Sequence, residues 1–67
     1  MKMNELLEKT IDFCAKMENH YSVLAYTALE KGNMTGCAIH TSESSSFTRV
    51  RMFIQLLLEK KDVNENE

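Results

Sequence analysis

The chain has 67 residues, 43% hydrophobic and 27% charged, with a formal net charge of −2 and a pI near 5.6. One domain of this size buries only about 60% of the surface its unfolded form exposes, so a further source of stability is expected. The mild acidity argues against nucleic-acid binding, because such domains usually gather Lys and Arg on one face and have a pI above about 9. No run of about 18 apolar residues suits a spanning helix, and no apolar stretch follows Lys2, so the expectation is a cytoplasmic chain that avoids membranes.

Two cysteines, Cys14 and Cys37, without the spacing of a disulfide scaffold read as reduced thiols. Proline is absent and only Gly32 and Gly36 are glycine, so regular structure can run almost throughout. Self-association is then the expected staple, and residues 1–61 the expected single domain, with 62–67 a flexible acidic tail.

Along the chain, Leu6, Leu7, Ile11, Phe13, Cys14 and Met17 fall on one half of a helical wheel, with Glu5, Glu8, Lys9, Asp12 and Lys16 on the other. This predicts an amphipathic helix from Asn4 to Glu18, capped by Asn4 and leaving at Asn19-His20. Tyr21 to Leu29 admits two readings. Tyr21, Leu24, Ala25, Ala28 and Leu29 continue the stripe in phase, which favours one long helix ending at Gly32. The other reading makes this segment a strand that turns at residues 30–33 and returns along Met34–Thr41.

The strand reading is favoured because Thr35-Gly-Cys-Ala-Ile-His-Thr41 has a β-like composition, and a strand there needs a hydrogen-bonding neighbour. The serine-rich Thr41 to Ser46 then serves as a connector, and Ser46 caps a closing helix with Phe47, Val50, Phe53, Ile54, Leu57 and Leu58 as its core stripe. The expected fold is therefore α+β, in the order helix, strand, strand, helix, with an antiparallel hairpin and a dimeric assembly. The alternative is an all-α helical hairpin that dimerises as a four-helix bundle.

Chemistry is sparse. Cys14, His20, Cys37 and His40 are metal-ligand types, but positions 37 and 40 of a strand point to opposite faces, so no metal or other cofactor is expected. Nor does any spacing imply a nucleophile with its base, and the expectation is a protein without enzymatic activity. Ser44, Ser45 and Ser46 at a helix N-terminus, followed by Arg49 and Arg51, suggest a site for a phosphate-bearing small ligand, although capping explains the serines equally. Met52 and Leu56, four residues apart on the side away from the core stripe, together with Tyr26, read as surplus apolar surface and hence as an interface.

The order of His20-Tyr-Ser-Val-Leu24, the Lys31-Gly-Asn33 turn and the serine-led closing helix resembles small uncharacterised proteins of gut bacteria and their phages or mobile elements. The resemblance covers roughly residues 20–60 and implies the helix, hairpin, helix layout and an origin in a mobile element. The expected function is a small non-catalytic interaction or regulatory module acting as a homo-oligomer. A ligand sponge or sensor at Ser44–Ser46 and a mobile-element-encoded protein inhibitor are the alternatives, and another protein is a second candidate partner.

Overall fold

The computed structural model describes residues 2–66 of the backbone and the side chains of residues 2–60. Two antiparallel helices, α1 (Met3–Glu30) and α2 (Met34–Asn66), make up the fold. Strands are absent among the described residues, so the α+β expectation is overturned and the all-α helical hairpin holds. The backbone of α2 runs on to Asn66, and the side chains of the expected acidic tail lie outside the described residues.

The three residues between the helices explain the difference. Gly32 takes φ +77°, a left-handed conformation that L side chains rarely adopt, and ends α1. Its N–H donates to the Leu29 carbonyl at 3.0 Å, and the Asn33 N–H reaches back to Ala28 at 2.8 Å. These two bonds satisfy carbonyls that the helix end would otherwise leave open. Asn33 then starts α2: its Oδ1 accepts from the Gly36 N–H at 2.9 Å, and its carbonyl accepts from Cys37 at 3.0 Å. A Cβ on Gly36 would stand 2.5 Å from Asn33 Nδ2, so the second glycine makes room for the cap.

With a cap at Asn33, the Thr35–Thr41 run has its backbone groups satisfied inside a helix and needs no neighbouring strand. Hydroxyls that disfavour helices in isolation fold back onto the preceding turn, Thr10 onto Leu6 at 2.8 Å, Thr27 onto Val23 at 2.9 Å and Ser46 onto Ser42 at 3.0 Å. Two expected caps therefore fail. Ser46 lies in the middle of α2, and Asn4 lies inside the first turn of α1, its Oδ1 buried without a hydrogen-bond partner.

The seam between the helices repeats every seven residues, alternating steps of three and four. On α1 it comprises Leu7, Ile11, Cys14, Glu18, Tyr21, Ala25 and Ala28; on α2, Cys37, His40, Ser44, Phe47, Arg51, Ile54 and Leu58. Its fully buried members are small, namely Cys14 at 2% exposure, Ala25 and Ala28. Each large aliphatic or aromatic side chain contributes about 1.5–3 kcal/mol when fully buried, and none of the buried three is large. The Cα atoms fill a slab of 54 × 18 × 11 Å, two helices wide and one helix deep.

Asn33→Ala removes the α2 cap and should destabilise the fold by about 1 kcal/mol. Gly32→Ala forces a Cβ into the left-handed region, at a cost of about 1–2 kcal/mol. Urea unfolding followed by circular dichroism checks both. Equal stability of all three chains would contradict the turn geometry.

Candidate functional site: two unlike sides of one hairpin

Because the helices run in opposite directions, residues that immediately precede a seam position flank the same side of the hairpin on both helices. Its apolar members are Leu6, Phe13, Met17, Leu24, Ile39, Val50, Phe53 and Leu57, and towards the turn His20, Thr27, Glu43 and Ser46 interrupt them. Phe13 is 55% exposed, Phe53 62%, and Leu6, Ile39, Val50 and Leu57 between 42% and 54%. Aromatic packing ties the side together: Phe13 meets Phe47 edge to face at 6.2 Å, and Tyr21 stacks on Phe47 at 5.8 Å and on His40 at 6.2 Å.

Residues that follow the seam define the other side, which is polar at mid-length. Arg51 donates from Nε to Glu18 Oε2 at 2.6 Å and from the guanidinium tip to Oε1 at 3.2 Å, a two-pronged pair across the helices. Thr48 donates to Glu18 Oε1 at 2.6 Å, and Arg51 also reaches Gln55 Oε1 at 3.1 Å. Ser44 donates to the Glu18 carbonyl at 3.0 Å, which leaves Ser22 to donate to the Ser44 hydroxyl at 3.0 Å. The Arg51 bond, with help from Thr48, holds the Glu18 carboxyl below its ordinary value of 4.5, and Glu18 in turn raises Arg51.

The serines expected to hold an anion are dispersed by this arrangement. Helix α2 passes through Ser44, Ser45 and Ser46, so the free N–H groups of a helix start are missing there. Ser44 faces the seam, Ser46 bonds its own helix, Arg51 is already neutralised by Glu18, and Ser45 and Arg49 are exposed. Tyr26, Met52 and Leu56 are exposed at 65%, 55% and 56%, but none lies on the apolar side. Tyr26 and Met52 each follow a seam residue, so both flank the polar side, Tyr26 near the turn and Met52 near the open end.

Cys14 and Cys37 are free thiols, and among the described residues no three His, Cys, Asp or Glu side chains gather as a metal site. Likewise no described helix is long and apolar enough to cross a membrane. Neither the apolar side nor the Glu18–Arg51 pair is among the features expected from sequence. A signal for each was present: the stripe on α1 was wider than one partner helix covers, and Glu18 sat in phase with it.

Comparison with known protein families found none that matches, and no curated protein and no solved structure matches the chain.

Since the carboxyl of Glu18 is lowered on folding, its stabilising effect is complete above its ordinary value near 4.5 and is lost as pH falls through the lower folded value. Glu18→Gln should therefore lower the thermal midpoint at pH 7, and the gap to the parent chain should close below about pH 4. A gap that stays constant from pH 7 to pH 3 would show that charge is not its source.

Proposed function

We propose that the chain is a non-catalytic interaction module that acts by pairing with a second copy, its hairpin forming half of a four-helix bundle. The single observation that carries this reading is the apolar side: Phe13 and Phe53 are more than half exposed while the buried residues are Cys14, Ala25 and Ala28. Domains are generally stable as two packed layers around a core, and this hairpin is one layer. A second layer of the same kind supplies what is missing.

Surface area points the same way. The chain exposes 5144 Å², about 800 Å² more than the roughly 4,300 Å² expected of a compact monomer of its mass. One partner's share of a standard interface is also about 800 Å². The excess, which a one-layer shape 54 Å long itself produces, is of that order. A phosphate-binding reading lacks support, because no helix begins at Ser44–Ser46.

Multi-angle light scattering should give twice the 7.7 kDa chain mass at micromolar concentration. Phe53→Asp, and separately Phe13→Asp, should weaken pairing by about 2 kcal/mol or more, on the order of 30-fold. Met52→Asp combined with Leu56→Asp should leave the mass doubled. A chain that stays monomeric at every concentration, or a dimer that the Met52/Leu56 variant alone dissociates, would sink this reading.

A further inference from the structure

The direction in which the two copies pair is also written on the apolar side, and this step rests on the self-pairing proposed above. The two halves of that side differ chemically. Towards the open end it carries Leu6 and Phe13 on α1 with Val50, Phe53 and Leu57 on α2. Towards the turn the apolar Leu24 and Ile39 are interrupted by His20 and Thr27 on α1 and by Glu43 and Ser46 on α2, where Glu43 accepts from His40 Nδ1 at 2.7 Å.

We infer that the second copy docks with its turn at the same end, about a two-fold axis running along the bundle. In this arrangement α1 of each copy lies over α2 of the other, and every adjacent pair of helices is antiparallel. Axial levels follow from the bonds between the helices: Ser22 meets Ser44, and Glu18 meets Thr48. Phe13 then comes to the level of Phe53 in the second copy and Met17 to that of Val50. His20 comes to the level of Ser46, and Leu24 to that of Glu43. Carbon faces carbon at Phe13 and Met17, and polar groups meet at His20 and Ser46, a juxtaposition that occurs twice by symmetry.

Placing the turns at opposite ends does the reverse. Each α2 then lies over the other α2, so Phe53 and Leu57 fall against Glu43 and Ser46 of the other copy and carbon meets polar groups. Each α1 lies over the other α1, and His20 falls on Phe13. Sliding the copies apart to avoid these contacts leaves part of the apolar side uncovered and returns the problem that pairing solves.

Lys31, exposed in the turn, reports the arrangement. The full chain carrying Lys31→Cys with Cys37→Ser is labelled with a nitroxide; Cys14, at 2% exposure, stays unlabelled. Lys31 lies about 14 residues beyond the middle of α1, or ~21 Å along the axis at 1.5 Å per residue. Turns at one end should give a distance of about 20 Å, roughly the width of two helices, whereas turns at opposite ends should give more than ~40 Å. The short distance supports the aligned bundle. A long distance in a particle of doubled mass overturns the alignment and leaves the pairing intact, and a monomeric mass for the labelled chain overturns both.

Discussion

Two helices lying side by side can shield only the strip along which they touch, and in this hairpin each helix has an apolar arc wider than that strip. On α1 the arc runs from Ile11 and Cys14 in the seam out to Leu6 and Phe13 on the flank; on α2 it runs from Phe47 and Ile54 out to Val50, Phe53 and Leu57. The remainder has to face something. Because the chain turns back after Gly32 with opposite helix directions, both remainders fall on one side and merge into a single face. A straight continuation of α1 would have left two separate stripes, so the turn is what creates a dockable surface.

The seam itself is weakly apolar, and its middle is charged. A buried or half-buried ion pair is poor evidence of stability, since its desolvation offsets much of its attraction. What Glu18, Thr48, Arg51 and Gln55 supply is position. Two hydrogen bonds from one guanidinium to one carboxylate fix which turn of α1 lies beside which turn of α2, as a polar residue in a coiled-coil seam fixes register. The pair adds to the register that Tyr21, stacked across the seam on Phe47 and His40, already favours, and it matters most where the contacts are the small Cys14, Ala25, Ala28 and Cys37. Sliding by one heptad would move Phe53 away from Phe13 and break up the apolar face. The polar side and the apolar side are therefore coupled through register.

The first half of α1 was legible from its wheel, and the break at Lys31-Gly32-Asn33 from its composition. The second half of α1 was legible too, since Tyr21, Leu24, Ala25 and Ala28 stay in phase, yet the β-like run after the turn outweighed it. That run misleads because propensity describes a residue without its cap: Asn33 supplies the first turn of α2 with an acceptor, and the hydroxyls spend themselves on carbonyls four residues back. Once a helix begins at Met34, a serine cluster at 44–46 loses its meaning as a helix start. Of the site, Glu18 announces itself as a carboxylate within an apolar stripe, but only the register of the hairpin reveals Arg51, 33 residues away, as its partner. Tyr26, Met52 and Leu56 drew attention because they fell outside the expected core. In a one-layer fold most large apolar residues are outside, so exposure alone stops discriminating, and shared position along the seven-residue repeat decides which of them form a face.

The bonds that define the hairpin, namely the Gly32 turn, the Asn33 cap and the Glu18–Arg51 pair, are local or polar and form within one chain, whereas Leu6, Phe13, Ile39, Val50, Phe53 and Leu57 stay exposed on one side of the single layer. A helix pair whose fully covered contacts are mostly small gains little from its seam, since most helical stability in proteins comes from packing an apolar face. Order in the hairpin and occupation of its apolar side are then linked equilibria: whatever covers Phe13 and Phe53 stabilises the helices that present them, and a loss of helix order removes the face.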